Sequence, residues 1–341
     1  MDPTQRRTLG RTGVEVTQLG FGGASIGELT QVIDEAVAVD AVRAAWNAGI
    51  RFFDTAPWYG RGLSELRTGS GLRGKPRDEF VLSTKIGRWL RAPGAAAAFD
   101  RAPWTGGLDM QVVFDYSYDG LMRSYEQSQL RLGIPRYDLA VIHDLDHLHH
   151  GQGGKLDWYF GQLAASGWRA IEELRAAGLI RGIGAGINAR GLIPRFLDLV
   201  DVDYFLVAMP YTLLHQEVLD DEFPAALARG AAFVIGSPFQ SGILATGPKA
   251  GARYNYAVVP PEVLTKVGRI QDVCERHGVP LAAAALQFPL GHPAVASVIP
   301  GASSPAQLER NVATFSHPVP ADLWAELKHG GLLREDAPVP A

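Results

Sequence analysis

Short apolar runs alternate with helix-patterned segments along the whole chain, and this alternation constrains the fold more than any other feature. The strand-like runs are residues 19–23, 51–54, 80–85, 137–143, 180–185, 204–207, 232–235 and 296–299. The helix-like segments between and after them are 40–49, 63–72, 116–132, 168–177, 192–199, 222–228, 263–277 and 305–314. Two adjacent aromatics, Phe52-Phe53, following Ile50 suit a strand covered on both faces. Such alternation predicts a parallel sheet with helices outside it.

Eight such units in 341 residues suit a closed (β/α)8 barrel, a TIM barrel, better than an open sheet. Length alone would allow two domains, but no shift in composition marks a linker, so residues 1–341 read as a single barrel domain. Ahead of the barrel, residues 7–9 and 14–16 flank Gly10-Arg11-Thr12-Gly13 and read as a small β-hairpin. The segments 91–109 and 144–157 are long enough to be lids over the carboxyl-terminal face.

The formal charge of −4 provides no electrostatic footprint for nucleic acid or an anionic membrane. No apolar run approaches the roughly 20 residues of a membrane span. The start of the chain has Arg6-Arg7 with no apolar stretch behind it, so no signal peptide is expected and the cytoplasm is the expected location. Cys274, the one cysteine, excludes an intrachain disulfide and reads as a small core residue.

Three consecutive predicted strands end in ionisable residues: Asp54, Lys85 and His143. Tyr59 follows the first in a Pro-containing turn. In a barrel these positions share the catalytic rim. A buried lysine beside a tyrosine favours the phenolate, which can then act as general acid or base near neutral pH. A carboxylate would hold that lysine, and the histidine could orient a substrate oxygen. The plainer alternative is a rim ion-pair network with Tyr59 packing beside it.

Asp54, Tyr59, Lys85 and His143 resemble the catalytic tetrad of the aldo-keto reductases, in the same chain order. Further blocks are similar to that family: Leu9-Gly10-Arg11-Thr12-Gly13, Gly20-Phe21-Gly22, Phe53-Asp54-Thr55-Ala56 with Tyr59-Gly60, and Ile299-Pro300-Gly301-Ala302-Ser303. The resemblance implies a nicotinamide cofactor bound without a Rossmann fold. It places the nicotinamide near Gly23, Asp54 and Asn188, and the pyrophosphate by Ser237, Phe239 and Ser241. The adenosine end falls to Gly301, Ser303, Gln307, Arg310 and Asn311. Departures from the family pattern are Ile187 beside Asn188, Ala208, and Gly236 where a stacking tyrosine usually stands. Only Arg310 remains as a nearby cation for a 2′-phosphate, so NAD is expected over NADP.

These departures resemble one branch, the D-threo-aldose (L-fucose, galactose) 1-dehydrogenases and pyridoxal 4-dehydrogenases. The resemblance implies oxidation of a cyclic hemiacetal to a lactone, with a sugar or pyridoxal as the small-molecule partner. Trp58, Trp89 and His143 are the expected substrate contacts. Rival expectations are an NADPH-dependent carbonyl reductase and a non-catalytic nicotinamide-binding subunit like the potassium-channel β subunits. No metal is expected: His147, His149 and His150 read as solvated loop histidines. Gly182-Ile183-Gly184-Ala185-Gly186 lacks the full dinucleotide fingerprint and reads as close packing at a strand end.

Overall fold

The computed structural model describes residues 1–94 and 100–341. Its strands, in chain order, are β1 (Arg6–Thr8), β2 (Glu15–Thr17), β3 (Phe21–Gly22), β4 (Phe52–Asp54), β5 (Val81–Ile86), β6 (Arg88–Arg91) and β7 (Gln111–Phe114). They continue as β8 (Leu139–Ile142), β9 (Gly182–Ile187), β10 (Tyr204–Ala208), β11 (Ala232–Gly236), β12 (Arg253–Tyr254), β13 (Ala257–Val258) and β14 (Val295–Ile299). Eight of them form one sheet in the order β14-β11-β10-β9-β8-β5-β4-β3. Every pairing within it is parallel. Parallel bridges Leu19↔Val298 and Gly22↔Gly301 join the two edges and close the barrel.

Two apolar layers hold it. Val81, Leu139, Val141, Leu206, Val234 and others fill the barrel interior, capped from below by Leu9, Val14 and Val16 of the β1–β2 hairpin. The second layer lies between the strands and the surrounding helices. Glycine is required inside at Gly184, where a Cβ would fall 2.5 Å from the ring of Tyr204. Its register partner on β10 is that tyrosine, so β9 yields the volume that β10 fills. Close packing is therefore what the glycines of 182–186 serve at this strand.

The hairpin is anchored as well as apolar. Arg7 Nη1 donates to the carbonyls of Leu290 and Val295 at 3.0 and 2.8 Å, and Arg11 Nε donates to Asp203 at 3.0 Å. Cys274 is buried in its helix, and burial pushes its thiol up to about 12.

The sequence reading differs from the structure mainly at element ends and in the loops. The first helix runs Glu35–Asn47, starting where Asp34 caps it by accepting from Ala36 N and Val37 N. Segment 144–157 is not a bare loop: it holds a helical turn, His147–His150, and the start of the helix Gly154–Gln162. Of segment 91–109, residues 95–99 fall outside the described residues. The β6–β7 ribbon and the β12–β13 hairpin are additions at the carboxyl-terminal face that the alternation did not signal. No helix among the described residues is long and apolar enough to cross a membrane.

Candidate active site

Strand order brings the three polar strand ends together. β4 pairs with β5 and β5 with β8, so Asp54, Lys85 and His143 stand side by side at one rim. Lys85 Nζ donates to Asp54 Oδ2 at 2.6 Å and to the Thr55 carbonyl at 2.8 Å, while Ser83 Oγ donates to Asp54 Oδ1 at 2.9 Å. The Lys85 ammonium lies 4.6 Å from the centre of the Tyr59 ring. The Tyr59 and His143 rings meet edge to face, their centres 5.9 Å apart. All four residues expected from the sequence therefore converge.

The electrostatics correct one expectation. Burial first, then the Asp54 and Asp144 carboxylates, push the Tyr59 phenol well above its ordinary range, against the pull of Arg88. Because Lys85 is paired with Asp54, it does not make a phenolate of Tyr59, and the group stands as a neutral phenol. Burial likewise raises Asp54, with Lys85 opposing it. Burial also drives His143 well below the usual imidazole range, although Asp144 pulls the other way. His143 is therefore neutral.

Trp58 borders the site as expected, but its neighbour there is Trp104. The two indoles meet edge to face at 5.7 Å, and Trp104 lies 6.0 Å from the Tyr59 ring. Trp89 stands elsewhere. Adjacent residues on a strand face opposite ways, and on β6 Arg88 faces Trp58 while Trp89 lies under the Arg123 guanidinium at 4.5 Å. The Trp104 loop is held by Glu28, whose carbonyl accepts from Thr105 N at 2.9 Å and whose Oε2 accepts from Gly107 N at 3.0 Å. Leu108 N donates to the Gly60 carbonyl at 2.9 Å, tying the loop to the turn that carries Tyr59. At Gly60 a Cβ would fall 2.5 Å from the Gly27 carbonyl oxygen, so only glycine allows that approach.

Sequence reasoning missed a second polar cluster beside the first. Arg88 is 1% exposed and donates to Asp144 Oδ2. That oxygen lies 3.2 Å from His143 Nε2. Asn188 Nδ2 donates to Asp144 Oδ1 at 2.6 Å and to Asp146 Oδ2 at 2.9 Å, and His149 Nδ1 lies 2.8 Å from Asp146 Oδ1. Despite burial, these partners hold Asp144 and Asp146 down to about 2. Donor atoms of Asp144, Asp146 and His149 lie within 4.8 Å of one another. Their carboxylates receive Arg88, Asn188 and His149, so the cluster is an ion-pair network. His150 is also no solvated loop residue: it is buried, with its ring 4.5 Å from those of Phe114 and Tyr159.

The residues expected around a dinucleotide lie in loops after adjacent strands, since Gly236 of β11 pairs with Ile299 of β14. Ser237, Gln240 and Ser241 have φ of 49°, 49° and 59°, left-handed backbone of the kind held at ligand-binding turns. Phe239 lies in the same turn. Beyond β14, a Cβ on Gly301 would fall 2.2 Å from Ser25 Oγ, so the chain there packs close against Ser25. Asn311 Nδ2 donates to the Gly301 carbonyl at 3.0 Å, and Ser303 Oγ donates to Gln307 Oε1 at 2.8 Å. Both serve the start of the helix Pro305–Ser316, which carries Arg310 and is capped by Ser304. A helix N-terminus of this length suits phosphate. Gly23 lies on the rim beside Asp54, its N–H donating to the Asp54 carbonyl at 2.7 Å. The amide nitrogen of Asn188, expected at the nicotinamide, is bound instead by Asp144 and Asp146. The set fits a nicotinamide dinucleotide.

Comparison with known proteins gives the family. The chain is 41% identical over 338 residues to the pyridoxal 4-dehydrogenase of Microbacterium luteolum, covering 97% of this chain and 98% of that one. It is 40% identical over 332 residues to the D-threo-aldose 1-dehydrogenase of a Pseudomonas species, covering 94% and 96%. The holo form of an aldo-keto reductase from Bacillus halodurans superposes with a TM-score of 0.73 at 25% identity, covering 96% of each chain. Proteins of this kind use nicotinamide cofactors and act on small molecules. With the Aldo/keto reductase family model matching residues 18–329, the barrel, its rim and its relatives lead to one conclusion: the chain is an oxidoreductase belonging to the aldo-keto reductase family.

Proposed function

We propose that this enzyme oxidises the cyclic hemiacetal of an aldose of the L-fucose or D-threo type to the lactone, with NAD as its preferred cofactor. The observation that carries the reading is the wall of indoles at the reacting phenol: Trp104 lies against both Tyr59 and Trp58. Aromatic surface beside the phenol suits a ring substrate with apolar C–H faces. The 40% identical D-threo-aldose 1-dehydrogenase supports the same choice. Pyridoxal is the second reading, favoured by the 41% identical relative and by the same indoles, which would accept a pyridine ring.

A nicotinamide held by the loops after β11 and β14 would take the hydride from the carbon. The chain's own part is to handle the oxygen. The hydroxyl proton passes to Tyr59, whose own phenolic proton must first leave to solvent, since a neutral phenol has no place for a second. Lys85, fixed by Asp54 and the Thr55 carbonyl, holds the charge balance beneath its ring. His143, neutral and buried, lies beside the same oxygen. NAD preference is supported by Gly301, Ser303 and Gln307, none of which carries a charge for a 2′-phosphate.

The test is absorbance at the reduced-nicotinamide band with NAD and, in separate assays, L-fucose, D-arabinose, L-galactose, D-galactose and pyridoxal. Reduction with a sugar supports the aldose reading. Reduction with pyridoxal alone moves the substrate to the second reading, and no reduction with any of them overturns both.

A further inference from the structure

Arg88 and Asp144 form a buried pair of opposite charges at the edge of the reacting centre. The residues are 1% and 7% exposed. Both act on Tyr59: the carboxylate raises its phenol and the guanidinium lowers it. Asp144 Oδ2 is 3.2 Å from His143 Nε2, and the Arg88 guanidinium lies 5.1 Å from the Trp58 ring and 4.4 Å from that of Phe114.

Two features set this pair apart from ordinary structural bridges. Burying an ion pair contributes little net stability, because desolvation offsets the attraction; apolar residues of the same volume would hold a barrel as well. The pair is also unfinished: Arg88 Nε is buried and has no hydrogen-bond partner among the described residues. A buried N–H without an acceptor is unfavourable and rare in folded proteins. Asp144 adds to the strain with a φ of 47°, left-handed for a residue that is not glycine.

We infer that Arg88 and Asp144 are specificity-determining residues that bind the ring hydroxyls of the substrate, Arg88 donating through Nε and Asp144 accepting. A hydroxyl both donates and accepts, so neighbouring hydroxyls on one ring match a guanidinium beside a carboxylate. The aromatic rings at the pair then take the ring's C–H faces. This deepens the hemiacetal reading and rests on it. The substrate class it selects is a polyhydroxylated cyclic hemiacetal over a bare one.

The experiment compares kcat/KM with NAD for L-fucose and for 2-hydroxytetrahydropyran, a cyclic hemiacetal with no further hydroxyl. Wild type is expected to favour the sugar. Arg88→Lys keeps the charge and loses the planar fork; Asp144→Asn keeps the shape and loses the charge. Each is expected to lower the sugar-to-bare ratio about 10- to 100-fold, the value of a hydrogen bond to a charged group. Should either single variant fail to fold, the double variant Arg88→Met with Asp144→Leu removes both charges together and carries the same expectation. A ratio unmoved in folded variants overturns this inference and leaves the hemiacetal reading standing. No turnover of either compound by wild type overturns that reading and the inference with it.

Discussion

Lys85 and Asp54 are joined by a 2.6 Å hydrogen bond, both 2% exposed, so the lysine meets Tyr59 as half of a neutral pair. Removing one half leaves a buried charge without its counterpart. Asp54→Asn is expected to destabilise the fold by about 3–5 kcal/mol. Urea unfolding measures this, and an unchanged midpoint would show that the pair is solvated in solution.

In the proposed mechanism Tyr59 is the group that takes the proton of the substrate oxygen. Tyr59→Phe keeps the ring against His143 and Trp104 and is expected to lower kcat by about 10²–10⁴-fold. NAD affinity, read by quenching of tryptophan fluorescence, should change little. Full turnover by the variant would remove Tyr59 from its role.

Acid should weaken the protein in two stages. Burial first, then Arg88, lowers His150 from 6.5 to about 4, so between those values the unfolded chain binds more protons than the native one. Stability is therefore lost as pH falls through that window. Asp144 and Asp146 stand at about 2 rather than 3.8 despite burial, so a second loss follows as pH falls from 3.8 toward 2. His150→Gln should make the upper stage shallower, with His143, His215 and His292 supplying the rest, and Asp146→Asn should reduce the lower stage to the share of Asp144. Urea midpoints across the range check both, and a flat profile between pH 6.5 and 4 would contradict the buried state of His150.

The proposed NAD preference rests on Arg310 being the one cation among the residues expected at the adenosine end, Gly301, Ser303, Gln307, Arg310 and Asn311. NAD is expected to bind more tightly than NADP, and Arg310→Ala to widen the gap by weakening NADP alone. Titration of both cofactors against both proteins reads it, and tighter NADP binding by wild type would reverse the assignment.

Trp104 and Trp89, the second of them on β6, should part company. Trp104→Ala is expected to raise KM for a ring substrate about tenfold or more, because it removes one aromatic wall. Trp89→Ala removes only a stack on Arg123 and should leave KM unchanged. Equal effects on KM would place both in the pocket.

How much of this was legible depended on which forces set each position. Asp54, Lys85 and His143 could be found because a parallel barrel puts strand ends on one rim, and strand ends are visible as the limits of apolar runs. Trp104 could not, since its place depends on Glu28 and Gly60 gripping a loop by its backbone. Trp89 misled for the reason that Arg88 was overlooked: a short ribbon outside the main alternation fixes which of two neighbours faces inward. His149 reads as a solvated loop histidine, and Asp144 and Asp146 have no reading beyond belonging to the segment 144–157. Only the fold shows that Arg88 and Asn188 reach them from separate strands.

The hairpin beneath the barrel has a consequence for traffic. With Leu9, Val14 and Val16 stoppering one end and packed side chains filling the lumen, both cofactor and substrate must use the same doorway. The two therefore share one approach, a constraint set by residues at the far end of the barrel from the polar rim.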